Sequence, residues 1–339
     1  MPKQTLPDIL ENFSDKNSMN KINRRTAGKI LTTTALATLT GCLSACEKSC
    51  SKKKTKSGLP LGISLNCGTL RAYDKLTLEE QIDLVADAGY DGIEPWTKDV
   101  ENYIQRGGKL SDIKKRLSDK GLAIDNLIGF ARCFLDDPTE RAKHIETMKR
   151  EVEWAAEMGS KNIACTMWGL ESLDPMKMEI YAERYRTVID FSKPFGVRPL
   201  LELWGHRALH KLSDAMSILI GSQRAEAGLL LDFYHLYRGG NSFDSLKHIN
   251  LADIDVFHIN DYPSTPSREK LVDADRVYPG DGICPFNTLL PEMYARGFRG
   301  NLSLEIFNKT YWASGDAKKV IADGYRKTYD VVKHAMKNV

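Results

Sequence analysis

Four ionisable residues in the second half of the chain stand at or near the ends of short apolar runs. Glu202 lies in "VRPLLEL", Asp232 in "AGLLLDF", His258 in "DVFHIN" and Glu305 in "NLSLEIF". His235 follows Asp232 by three residues, and Asn260 follows His258 by two. Three carboxylates that converge in one pocket repel one another, and at least one takes up a proton unless a cation joins them. Three carboxylates and one imidazole form a hard, oxygen-rich donor set. It suits one divalent ion, Mn²⁺ by preference, with Mg²⁺, Co²⁺ or Zn²⁺ also compatible. Such an ion polarises a carbonyl as a Lewis acid. Any one of these residues alone reads as a helix cap or a loop salt bridge. Four at equivalent positions read as one metal site.

The elements that must position them recur along the chain from Leu59. Eight apolar, β-rich runs cover residues 59–65, 90–96, 122–128, 161–167, 197–203, 227–233, 255–260 and 301–307. Helical stretches lie between them. "TLEEQIDLVADAG" opens on a Thr N-cap signal and closes at Gly89, and "KLSDIKKRLSDKG" closes at Gly121. Further helices are expected over 142–159, 175–196, 286–297 and about 316–337. Glycine after the last periodic residue is the usual left-handed stop. Regular strand–helix alternation predicts a parallel sheet. Eight such units over 58–339 predict one (β/α)₈ TIM barrel, a single α/β domain. The rival doubly wound sheet would carry a Gly-rich phosphate loop after its first strand, and "SLNCGTLRAYD" has no G-x-G-x-x-G.

If the barrel is right, chemistry gathers at the C-terminal ends of its strands, which singles out further candidates. Glu94, Trp96, Trp168 and Trp204 follow strands, and His206 lies in the loop after Glu202. Arg276 and Asp281 lie in "DYPSTPSREKLVDADRVYPGDG", a long loop after strand seven. Asp281 reads as a turn residue.

Residues 1–57 differ from the rest. Arg24-Arg25 begins a positive segment, a short Thr-rich apolar stretch follows, and "LTGC" ends at Cys42. The layout predicts an export signal over 1–41, with Met19 as a candidate true start. Cys42 is the expected lipidation site, with Cys46 in "LSAC" a weaker alternative, and 42–57 is expected to be a Lys-rich tether. The twin arginine suggests export by the twin-arginine route to the periplasm or cell envelope. Membrane contact is then expected only through the lipid. The chain has 48 Lys and Arg against 45 Asp and Glu, but residues 58–339 hold 37 against 41. A net charge of −4 argues against nucleic acid as a partner. Seven cysteines show no C-x-x-C spacing, and no disulfide framework is expected.

From Leu59 onward the chain resembles the xylose-isomerase-like TIM-barrel superfamily of sugar isomerases and epimerases. The resemblance rests on Glu202, Asp232, His258 and Glu305, on the D-x-x-H of Asp232 and His235, and on the Pro-Gly-Asp-Gly of "DRVYPGDG". It implies that those four residues hold the metal and that Glu202 and Glu305 act as base and acid through a metal-stabilised enediolate. It implies a substrate contact from His235. Their positions make His206, Glu94, Trp96, Trp168, Asn260 and Arg276 further candidates, Glu94 either for the substrate or as an outer partner of the metal's ligands. The substrate would be a sugar or keto-sugar, and pairing into a homodimer is compatible with the group. The chain departs at Ala208, where the family's sugar epimerases often carry a second acid. A metal-dependent lyase or dehydratase acting on a 3-keto-sugar or keto-acid remains an alternative, as does a non-catalytic sugar-binding lipoprotein. The abasic-DNA endonuclease branch fits poorly: Val277 stands where that branch has a histidine.

Overall fold

The computed structural model describes residues 55–339. Cys42, Cys46, Met19 and the expected export signal lie outside the described residues. Thr55 to Ser57, expected to end the tether, already lie against the folded domain. Thr55 is buried, and the Lys56 backbone N–H donates to Asp91 Oδ1 at 2.6 Å.

Eight short apolar runs become parallel strands, buried along nearly their whole length except β3, whose two residues are half-buried. They are β1 (Gly62–Asn66), β2 (Gly92–Glu94), β3 (Ala123–Ile124), β4 (Asn162–Thr166), β5 (Arg198–Glu202), β6 (Gly228–Asp232), β7 (Val256–Ile259) and β8 (Asn301–Leu304). The hydrogen-bonded order is β3-β2-β1-β8-β7-β6-β5-β4. A single parallel bridge between Leu127 and Ile163 joins the two ends, so the sheet closes into the expected eight-stranded TIM barrel.

The third strand is shorter than the expected 122–128 because Asp125 and Asn126 interrupt it. Asp125 accepts from Ser64 and Asn301 inside the barrel. Pairing resumes only at Leu127 and Ile128.

The helices are α1 (Leu78–Asp87), α2 (Thr97–Gln105), α3 (Leu110–Asp119), α4 (Pro138–Met158), α5 (Met178–Ser192), α6 (Leu212–Gly221), α7 (Phe233–Arg238), α8 (Phe286–Ala295), α9 (Lys309–Trp312) and α10 (Ala317–Ala335). Thr77 caps α1 through a reciprocal box with Glu80. α4 begins four residues before the expected Ala142, because Asp137 accepts from the Glu140 N–H and Pro138 takes the first position. Four helices went unpredicted: α2, α6, α7 and α9. Neither α2 nor α6 has a side-chain cap of its own. The first N–H of α6 is instead met by Asn241 Oδ1 at 2.9 Å, from a distant loop.

Side chains alternate between the two faces of a strand. Leu229, Leu231, Leu201 and Ile163 join the large cluster against the helices. Ile128, Ala164, Leu200, Leu230 and Val256 form a separate cluster that fills the barrel lumen. Glu202, Asp232 and His258 each stand two residues beyond a member of that inner layer. The strand period therefore puts them on the lumen side, above a dry floor. Among the described residues no helix is long and apolar enough to cross a membrane.

Candidate active site

Register brings the strand ends level. Thr166 pairs with Glu202, Asp232 with His258, and Asn66 with Glu94. Glu305 sits one residue past β8, its N–H on the Ile259 carbonyl at 3.2 Å. All of these residues are buried.

His258 is the centre. Its Nδ1 is buried with no hydrogen-bond partner and faces oxygens of Glu305, Asp232 and Glu202 at 3.5, 3.8 and 4.0 Å. Glu202 Oε2 is likewise buried and unpartnered. The opposite ring nitrogen, Nε2, meets Glu94 Oε1 at 3.1 Å. A carboxylate behind an imidazole fixes the ring and leaves the far nitrogen free as a ligand. Three carboxylates and an orphaned imidazole nitrogen fit a divalent cation.

These bonds favour the second of the two roles expected for Glu94 and revise the expected substrate contact of Asn260. Glu94 is fully buried, accepts from Asn126 Nδ2 at 2.9 Å, and backs His258 rather than facing the cavity. Asn260 is also fully buried. Its Nδ2 donates to Asp232 Oδ2 at 2.8 Å and to the Glu305 carbonyl, and its Oδ1 accepts from the Tyr234 N–H. Every polar atom of Asn260 is engaged in holding the strand ends, so none is left for a ligand.

Arg276 enters the same cluster from the long loop and is buried. Its Nη1 donates to Glu305 at 2.6 Å and to Asp232 at 3.1 Å, and its Nη2 donates to Asp273 at 2.7 Å. Asp261 fixes the loop that delivers it. Its carboxylate accepts from the N–H groups of Tyr262, Cys284, Gly280 and Gly282 at 2.8 to 3.0 Å. A Cβ at Gly282 would lie 2.3 Å from that carboxylate, so only glycine fits there.

His235 has a defined role. The Gly205 N–H donates to its Nδ1 at 3.1 Å, so the neutral ring carries its proton on Nε2. Burial and the nearby Arg276 hold its pKa well below the ordinary imidazole value, keeping the ring neutral. Donor atoms of Asp232, His235 and Glu305 lie within 4.8 Å of one another, as a metal site would require. The tautomer nevertheless makes His235 a donor rather than a ligand. Its Nε2 and Arg276 Nη2 stand 3.0 Å apart, two donors facing each other. Arg276 Nη2 already donates to Asp273, which leaves the His235 Nε2–H as the donor for a bound substrate's oxygen.

Electrostatics separates the two glutamates. Burial, reinforced by Glu305 and Asp232, pushes Glu202 up to about 8 against the pull of His258. Burial would also raise Glu305, but His258 and Arg276 overcome it and hold Glu305 down at about 2. Burial opposes the charge on His258 as well, yet Glu94 and Glu305 raise it well above the ordinary range. Without a cation, the cluster gathers protons instead.

Glu202, His235, Arg276 and Glu305 of this cluster line a cavity of about 820 Å³, with Asp232 and His258 packed behind them. Trp96, Trp168, Trp204 and His206 all line it, as the sequence suggested. His206 sits 3.5 Å from Asp273. Asp281 lies apart, paired with Lys327. Sequence reasoning missed Asn66, Asn126 and Asp273. The first two had a readable signal: each is a polar residue at an inward position where a strand ends. Cys67, Cys133, Cys165 and Cys284 are free, in line with the absence of a disulfide framework.

A closed barrel with such a strand-end cluster defines a class of TIM barrels whose site lies at the C-terminal ends of the strands. The xylose isomerase-like TIM barrel model matches residues 82–330, and the chain belongs to that family. It is 28% identical over 243 residues to inosose isomerase of Bacillus velezensis, covering 69% of this chain and 85% of that protein. It is 26% identical over 262 residues to 3-dehydroshikimate dehydratase of Pseudomonas aeruginosa, covering 74% of this chain but 39% of that longer protein. A crystal structure of IolI protein with a zinc atom superposes with a TM-score of 0.74 at 24% identity, covering 80% of this chain and 98% of that one.

Proposed function

We propose that the chain is a divalent-metal-dependent isomerase or epimerase of a sugar or keto-sugar, which moves a proton on carbon next to a carbonyl. The observation that carries this reading is the convergence of Glu202, Asp232, Glu305 and the unpartnered His258 Nδ1 on one cavity floor. The similarity to inosose isomerases supports it. A divalent cation held by those four residues would supply Lewis acidity toward the carbonyl oxygen. Glu202 and Glu305 both line the cavity, from the ends of β5 and β8, and would serve as base and acid. The His235 Nε2–H would donate to a substrate oxygen. The tryptophan walls exclude water from the proton in transit.

A second reading has its own support. The similarity to 3-dehydroshikimate dehydratases favours loss of a β-hydroxyl from the same carbanion-like species. One experiment addresses both. The Mn²⁺-loaded protein is incubated with inososes and 3-keto-sugars in D₂O. Deuterium at the carbon beside the carbonyl is expected, with Glu202→Gln and Glu305→Gln each slower by about a hundredfold or more. Water loss in place of exchange would transfer the chain to the dehydratase reading. Neither exchange nor loss, with metal bound, would contradict both.

We further read the leader as that of an exported lipoprotein. Palmitate labelling in a bacterial host is expected to mark the whole chain and to vanish in Cys42→Ser. Label that persists there and vanishes in Cys46→Ser would move the site.

A further inference from the structure

Four of the five tryptophans, Trp96, Trp168, Trp204 and Trp312, line the mouth of one cavity. Three of them continue a strip that starts at the floor. His235 and Trp204 stack with centroids 6.4 Å apart and an interplanar angle of 27°. Trp204 then meets Trp168 at 5.7 Å on one side. On the other it meets Phe130 at 6.1 Å, and Phe130 meets Trp96 at 4.8 Å. The strip ends outward at Trp168, which remains 39% exposed. Arg207 lies 4.9 Å over the Trp168 ring and Arg71 4.8 Å over the Trp96 ring, so both indoles are braced by guanidinium groups.

A single sugar ring bound to the floor fills only part of this space. A cavity of about 820 Å³ is in the range that encloses a drug-sized ligand. A pyranose seated beside Glu202, Glu305 and His235 occupies the inner step of the strip, against Trp204. Trp168 lies one ring further out and would have no partner. An indole face held open at a cavity rim, rather than folded onto the apolar core, suits the apolar face of another ring.

We propose that this outer step, centred on Trp168, is a second subsite for a flat-faced ring joined to the reacting sugar. The substrate class is then a glycoside, a keto-sugar carrying another sugar or an aromatic group, rather than a free monosaccharide. The inference rests on the reading that the inner floor binds a sugar.

The test is calorimetric titration of the full chain with glucose, cellobiose and phenyl β-glucoside, which need no turnover. Both two-ring probes are expected to bind about three- to tenfold more tightly than glucose. Trp168→Ala removes that advantage, read as the ratio of each two-ring affinity to the glucose affinity of the same variant, and Trp168→Phe restores part of it. Tighter binding of cellobiose alone assigns the outer ring to a sugar, and of phenyl β-glucoside alone to an aromatic group. Equal affinity for all three, no binding by any, or an advantage that survives Trp168→Ala overturns the subsite. The two readings fail separately. A chain that exchanges deuterium but ignores the second ring keeps the isomerase reading and loses the subsite. One that prefers two rings yet never exchanges does the reverse.

Discussion

At the scale of single residues, the site is arranged around what His258 does with each nitrogen. Glu94 holds Nε2, which leaves Nδ1 turned to three carboxylates. Glu94→Gln removes the charge behind the ring while keeping its size. Metal affinity is expected to fall about 10- to 100-fold, because outer partners of ligating histidines contribute on that scale. Mn²⁺ titration of the variant measures it, and unchanged affinity would remove Glu94 from the site. Glu202, Asp232, His258 and Glu305 were legible in the sequence because each ends or follows an inward-facing run. The particular partner of Glu94 and the role of Asn260 were not. Glu94 reaches His258 across the barrel lumen, from a strand that does not pair with β7. Asn260 turns back onto β6. A sequence gives a residue's place along its strand and not the neighbour it faces.

At the scale of elements, a side-chain cap did not decide which helices were legible: α3, α5 and α8 were read without one, whereas α7 and α9, capped by Asp232 and Asn308, were missed because they span only six and four residues. α1 announces itself through Thr77 and Glu80, whereas α6 depends on Asn241. α4 carries a different burden. Its Glu151 is buried against Thr97 at the start of α2, with Oε2 unpartnered, and burial pushes its carboxyl up to about 7 from 4.5. Between about pH 4.5 and 7 the unfolded chain has lost this proton and the folded chain keeps it. The folded state therefore binds more protons, and stability falls as pH rises across that window, then levels off above it. The contribution is on the order of 3 kcal/mol. Urea unfolding of Glu151→Gln at pH 5 and pH 8 is expected to show a smaller drop than the parent. An equal drop in both proteins would mean that Glu151 ionises freely in the fold.

At the scale of the whole molecule, strand–helix alternation was enough to give the closed barrel, since eight units with apolar runs and glycine stops leave few other topologies. The long loop after β7 was legible only as a loop. That Asp261 staples it, and that it drives Arg276 between Asp232 and Glu305, follows from tertiary contacts without a local signature. Arg276 offsets carboxylate charge that would otherwise be buried uncompensated, a loss of about 3–5 kcal/mol when one partner is removed. The arrangement as a whole makes one central claim: these strand ends are built around a cation. The direct measurement is the metal content of the purified full chain after incubation with Mn²⁺ and removal of the excess, beside the double variant Glu202→Ala, His258→Ala. About one ion per chain, absent from the double variant, is the expected result. A parent chain that retains no metal, or a double variant that retains as much as the parent, would contradict the site.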